Sequence, residues 1–298
     1  MPNPFGLILS AALVAAVVVF LGVVAWRGAH QLVHPPHCPP HASPQDYALT
    51  AESIAFQNHA GLTLRGWFIE APQAKGTIVF SHGYAGDCTP DLVYAPLFQH
   101  AGYHTLFFDY RGHGASEGNT TSLVYLERDD LLGALDFLRG RGIARVGLIG
   151  FSMGGAIAIA TAPLSPMVIA VISDCTFANL ASVVENAAIQ RGYPRWMGAV
   201  LGWLVVVLAS IQLRANLFSA DPIHWVDKIS PRPLLIMHGG KDTDAPVAQA
   251  HQLFRAAREP KALWIVPDAR HRKIEEIAPA EYRQRIVEFF DHAFRLAQ

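Results

Sequence analysis

RVGLIGFSMGG, residues Arg145–Gly155, joins an apolar run to the small-residue segment Gly154–Ala162. A short run rich in Val and Ile reads as a buried strand, and the longer Ala-rich segment reads as a helix. Between them lies GFSMGG, a G-x-S-x-G pattern on a strand-to-helix turn. A serine there projects its hydroxyl above the sheet, and the flanking glycines tolerate the crowded backbone. The stretch therefore predicts a strand–turn–helix unit with Ser152 as candidate nucleophile.

Outward from this unit the pattern repeats. TLRGWFIEA (Thr63–Ala71), GTIVFSHG (Gly76–Gly83), HTLFFDYRG (His104–Gly112), MVIAVISDC (Met167–Cys175), PLLIMHGG (Pro233–Gly240) and ALWIVPDA (Ala262–Ala269) also read as strands. Several are apolar on both faces, as central parallel strands are when helices cover both sides of a sheet. Helical patterns fall near Leu92–Ala101, Leu123–Arg139, Val247–Arg258 and Ala280–Ala297. Alternation at this spacing predicts one α/β domain over 48–298 with a mostly parallel sheet and helices on both faces. The spacing breaks once. About 176–230 separates two strands by far more chain than a crossover needs, and this insertion carries the uncharged stretch Met197–Leu213.

A serine hydroxyl needs a base within hydrogen-bond reach, itself oriented by a carboxylate. On a sheet of this kind the acid and the base follow the serine in the chain, on loops after later strands. HGGKDTD places Asp242 just beyond one strand, and PDARHRK places His271 just beyond the next. Asp244, two residues on, and Asp174, at the end of VISDC, stay open as alternative acids. His113 in DYRGHGAS precedes the serine, so it reads as support for a tight loop pinned by Asp109 and Arg111. An acyl-transfer oxyanion needs two preorganised donors. The backbone N–H of Met153, directly after the serine, is one, and that of Tyr84 in SHGYAG is the other.

Composition bounds the rest. Of 298 residues 51% are hydrophobic and 16% charged, with a formal net charge of −1, which supports a large core and disfavours nucleic acid as a partner. Three scattered cysteines form neither a disulfide framework nor a zinc motif. Phe5–Trp26 carries no charge and at 1.5 Å per residue would cross a hydrocarbon core of roughly 30 Å. MPNP lacks the basic n-region of a signal peptide, and the run is longer than an h-region. Residues 5–26 therefore predict an uncleaved single-pass anchor. Residues 27–47, with Pro35, Pro36, Pro39, Pro40 and Pro44, predict a semi-rigid solvated linker. Its His34, His37, Cys38 and His41 are weak metal candidates, and no metal or cofactor is expected.

SHGYAG, DYRGHGAS, GFSMGG, HGGKD and the late histidine occur in one order, and together they resemble the α/β-hydrolase superfamily. The likeness is nearest to membrane-anchored α/β-hydrolase-domain proteins of the serine aminopeptidase-like or monoglyceride-lipase-like group. It spans about Ala51–Ala297. The resemblance implies Ser152 as nucleophile, Asp242 as acid, His271 as base, Tyr84 and Met153 as oxyanion donors, and the insertion as a lid. One departure stands out: relatives often carry glycine before the catalytic histidine, whereas Arg270 precedes His271 and Arg272 and Lys273 follow it. Nearby cations disfavour the imidazolium unless they face solvent.

The expected activity is hydrolysis of carboxylic esters or thioesters, on lipid-like or acylated substrates at a membrane. An aminopeptidase-type serine peptidase is the second reading, and would want Glu185, Asp221 or Asp227 placed to hold a substrate amine. A non-catalytic binding protein is the third. Spanning by Met197–Leu213 would divide one sheet across a bilayer, so that stretch predicts a lid helix, with contact to membrane lipids left open.

Overall fold

The computed structural model describes residues 4–297. Eight strands form one sheet: β1 (Glu52–Gln57), β2 (Thr63–Ile69), β3 (Gly76–Ser81), β4 (Tyr103–Phe108), β5 (Val146–Phe151), β6 (Val168–Asp174), β7 (Leu234–Gly239) and β8 (Lys261–Val266). Their spatial order is β1-β2-β4-β3-β5-β6-β7-β8. β1 and β2 pair antiparallel at one edge, and every pairing from β4 to β8 is parallel. The helices are α1 (Pro4–Val33), α2 (Ala95–His100), α3 (Glu127–Gly140), α4 (Met153–Thr161), α5 (Leu180–Gln190), α6 (Arg195–Leu213), α7 (Ala248–Ala256), α8 (Ile274–Ile277) and α9 (Pro279–Leu296).

The parallel strands are apolar throughout because each serves two cores. In β5, Val146 and Leu148 face the core shared with α3 and α4, while Ile149 and Phe151 face the core shared with α2 and α9. β7 divides likewise, with Leu234 and Ile236 on one side and Leu235 and Met237 on the other. β1 has no counterpart among the expected strands. Only Ile54 and Phe56 of its six residues are buried, so the edge strand carries too little periodic apolar signal.

Two stretches outside the sheet differ from or refine expectation. The N-terminal helix continues past Trp26 to Val33, so the first part of the stretch expected as linker is helical. Arg27–Val33 contains no proline, and Ala25, Ala29 and Val33, spaced four apart, are buried in the core that also holds α6. Within the insertion, α5 and α6 pack closely through Gly198 and Gly202. A Cβ on Gly202 would press on the Ala181 carbonyl oxygen at 2.5 Å. The buried face of α6 comprises Gly198, Leu201, Gly202, Val205, Val206 and Ala209.

The order of strands reverses at β3, which has β4 on one side and β5 on the other. In open α/β sheets ligands bind beyond the carboxyl ends of the strands at such a switch point. Ser81 ends β3 and Phe151 ends β5 there, each inside a motif singled out above.

Candidate active site

β5 hands the chain to α4 through Ser152, whose backbone sits at φ 52° and ψ −115°. A non-glycine residue in that region costs of order 1–3 kcal/mol and is held by its surroundings. Ser152 N–H donates to the Asp174 carbonyl at 2.8 Å, and Thr176 Oγ1 donates to the Ser152 carbonyl at 3.2 Å. The glycines answer close approaches. A Cβ on Gly150 would overlap the Gly154 carbonyl, and one on Gly154 would overlap the Ser81 carbonyl of β3. Met153 opens α4, so its N–H is among those with no intrahelical acceptor.

The loop after β3 is braced by two buried histidines of the same tautomer. His82 Nδ1 donates to the Gly83 carbonyl at 2.8 Å, and its Nε2 accepts from Tyr110 N–H at 3.0 Å. His113 Nδ1 donates to the Arg111 carbonyl at 2.8 Å, and its Nε2 accepts from Ala85 N–H at 3.3 Å. Burial, with a further push from His113, lowers the His82 pKa to about 3, and burial lowers that of His113 as well. Both rings are thus neutral near pH 7, and His113 takes the supporting part expected of it. Asp109 accepts from the amides of Cys88 and Ala115, each at 2.8 Å, and Arg111 forms a bidentate pair with buried Asp130.

Asp242 lies beyond β7 and is buried. Its Oδ1 accepts from the amides of Asp244 and Ala245, each at 2.9 Å, and its Oδ2 lies 2.7 Å from His271 Nδ1. Neither Asp174 nor Asp244 takes that position. Asp174 is buried and accepts from Tyr282 Oη at 2.7 Å, while Asp244 reaches Asp242 through its backbone amide alone. With Nδ1 turned to Asp242, Nε2 is the nitrogen left to act toward a substrate. Ser152, Met153, Tyr84 and His271 line one cavity of about 700 Å³, within the usual range for small-molecule sites.

The cations around His271 separate by direction. Arg270 and Lys273 are exposed. Arg272 turns inward, binds the Asp91 carboxylate and stacks 4.7 Å from the centre of the Phe151 ring. Burial pushes the Asp91 carboxyl up to about 6, against the downward pull of Arg272. The inward charge therefore has a counter-ion. Nothing in the sequence marks Asp91 as that partner, 181 positions away.

His238, four residues before Asp242, also escaped sequence reasoning. Its Nε2 donates to the Ala245 carbonyl at 2.6 Å and lies 3.3 Å from Asp242 Oδ2. Cys175, His238 and Asp242 bring potential ligand atoms within 4.8 Å of one another. A metal would need the Cys175 thiolate, whose formation burial strongly opposes, and the carboxylate already engaged by His271. His41, a metal candidate from sequence, contacts Asp87 and Thr89 instead.

The insertion and α1 supply much of the cavity wall. Phe177, Val183, Val184, Leu201 and Val205 line it, and Asp244, Arg27, Arg191 and Arg272 are the charged residues among the lining. Glu185, Asp221 and Asp227, the residues an aminopeptidase would use for a substrate amine, are not among the lining residues. Val24, Gly28 and Leu32 of α1 supply a wall that sequence reasoning, which ended the helix at Trp26, did not anticipate.

The Alpha/beta hydrolase family profile matches residues 78–288. The chain belongs to this family. It is 30% identical over 253 residues to the uncharacterized protein YfhR of Escherichia coli O157:H7, covering 80% of each chain. It is 28% identical over 232 residues to the alpha/beta hydrolase domain-containing protein WAV2 of Arabidopsis thaliana, covering 75% of this chain and 72% of that one. Among solved structures it resembles the Pyrococcus furiosus esterase Pf2001, with a TM-score of 0.73 at 23% identity, over 88% of this chain and 98% of the esterase. Family membership supports hydrolase activity in general. The N-terminal helix is long and apolar enough to cross a membrane.

Proposed function

We propose that this α/β hydrolase is a membrane-anchored serine hydrolase that cleaves carboxylic esters or thioesters through an acyl-enzyme. What carries the reading is the 2.7 Å contact between Asp242 and His271 on the same cavity as the strained Ser152. His271 Nε2 takes the Ser152 proton as Oγ attacks the acyl carbonyl. Asp242 holds the ring in the required tautomer and stabilises the imidazolium. The N–H groups of Met153 and Tyr84 receive the oxyanion, each contributing roughly 10²–10³ in rate. His271 then protonates the departing alcohol or thiol, and the same base activates the water that clears the acyl group from Ser152.

The walls are mostly apolar, with Arg27 and Arg191 among the lining residues, and suit an acyl chain better than a sugar. With α1 as an anchor, the cavity stands beside lipid, and lipid-derived esters or acylated peptides become the natural substrate classes. The test is steady-state turnover of nitrophenyl esters, acyl thioesters and aminoacyl nitroanilides by the full chain. Ester or thioester turnover that falls at least about 10³-fold in Ser152→Ala is the expected result. Preference for the aminoacyl amide would replace this reading with the peptidase one, and turnover indifferent to Ser152→Ala would remove the triad altogether.

A further inference from the structure

A helix leaves its last carbonyls without intrahelical donors, and where they go shows what the helix is joined to. In α1 the His30 carbonyl accepts from His34 N–H at 3.0 Å, closing the helix on itself. The others are taken by the hydrolase domain. Tyr84 Oη donates to the Gln31 carbonyl at 3.0 Å, with the Leu32 carbonyl at 3.3 Å, and Thr121 N–H donates to the Val33 carbonyl at 2.8 Å. The membrane helix thus ends on the side chain of the residue whose backbone N–H is assigned to the oxyanion. That residue is held from a third side by His113, whose ring stands edge-on to Tyr84 with centroids 6.2 Å apart.

The same turns of α1 present two faces. Ala25, Ala29 and Val33 are buried in the core with α6, and a Cβ on Gly28 would stand 3.0 Å from Val205 of α6. The adjacent face lines the cavity with Val24, Gly28 and Leu32 at four-residue spacing, flanked by Arg27 and Gln31. Side chains four apart lie above one another on a helix, so these residues make a continuous strip running from the catalytic loops toward the apolar span. We propose that α1 is a working part of the active site: its last turns form the wall along which the acyl chain lies, and the Tyr84 hydroxyl ties the oxyanion loop to that wall. The inference rests on the serine-hydrolase reading above. Tyr84 then has two parts, its N–H meeting the substrate and its phenol acting as a positioning group.

Two substitutions in the full chain, reconstituted in phospholipid nanodiscs, test this. Tyr84→Phe removes the hydroxyl and keeps the ring and the backbone N–H. Its kcat should fall about tenfold, a fraction of the loss of a whole oxyanion donor, with KM within about twofold. Affinity for a trifluoromethyl ketone, whose adduct carries the oxyanion, should fall by the same factor. Val24→Trp fills the strip and should lower turnover of dodecanoyl relative to butanoyl esters at least about tenfold. Val23→Trp, on an exposed position of the same helix, should leave that ratio unchanged. Wild-type kcat and analogue affinity in Tyr84→Phe, or an unaltered chain-length profile in Val24→Trp, overturns the inference. If turnover nevertheless depends on Ser152, only the part given to α1 fails; if it does not, the triad itself fails.

Discussion

Asp242 keeps both carboxylate oxygens occupied, one by the amides of Asp244 and Ala245 and the other by His271. Asp242→Asn would retain the acceptor for the amides while offering His271 an NH₂ group and the wrong tautomer. The expected result is a kcat lower by about 10⁴ with the fold intact by circular dichroism. Asp174→Asn and Asp244→Asn should each stay within a few-fold of wild type. The placement of Ser152 and His271 on one cavity was legible because a tight turn and a post-strand loop announce themselves in short motifs. The acid was legible as Asp242 with Asp174 and Asp244 open beside it, since the direction of a carboxylate after a strand depends on loop packing. His82 gives a pH prediction. Its folded pKa of about 3 lies below the ordinary histidine value of 6.5, so the folded state binds fewer protons between those values. Its stabilising contribution is present above pH 6.5 and is lost as pH falls toward 3. Urea midpoints measured across that window should fall more steeply for wild type than for His82→Gln.

α6 illustrates why an apolar stretch is ambiguous until its neighbours are known. Its composition meets the criteria for a membrane span, as that of α1 does, but 33% of its most apolar window is buried in the protein against 6% for α1. Glycines on its inner face let it approach α5 closely, and no local sequence signal reveals such a partner. Gly202→Val should destabilise the domain by about 1–3 kcal/mol, seen as a lower thermal midpoint; an unchanged midpoint would mean that α6 is not held against α5. α1 misleads in the opposite sense. Its final turns look like linker because His30 and Gln31 precede a proline-rich segment, and the small residues that dock it on α6 carry little hydrophobic signal. β1 was illegible for a related reason, with two buried side chains at the sheet edge.

At the scale of the whole molecule, one sheet is covered on both faces, and the loops after β3 and β5 meet where its strand order reverses. That much follows from the alternation of strand and helix patterns, because strands apolar on both faces require two layers of helices. The union of α1 with the rest of the domain does not follow from it, since the contacts joining α1 to Tyr84 and Thr121 are made by backbone carbonyls, which any sequence supplies. With α1 retained as an anchor, the expressed chain should remain in the membrane pellet after an alkaline carbonate wash and show the intact mass of 32.5 kDa. Release of a shorter chain would instead mark α1 as a cleaved signal sequence. The most direct test of the triad is treatment of the full chain with a fluorophosphonate, followed by mass mapping of the adduct. Modification at Ser152, abolished in His271→Ala, is the expected result; modification of another residue, or none in the active preparation, would contradict it.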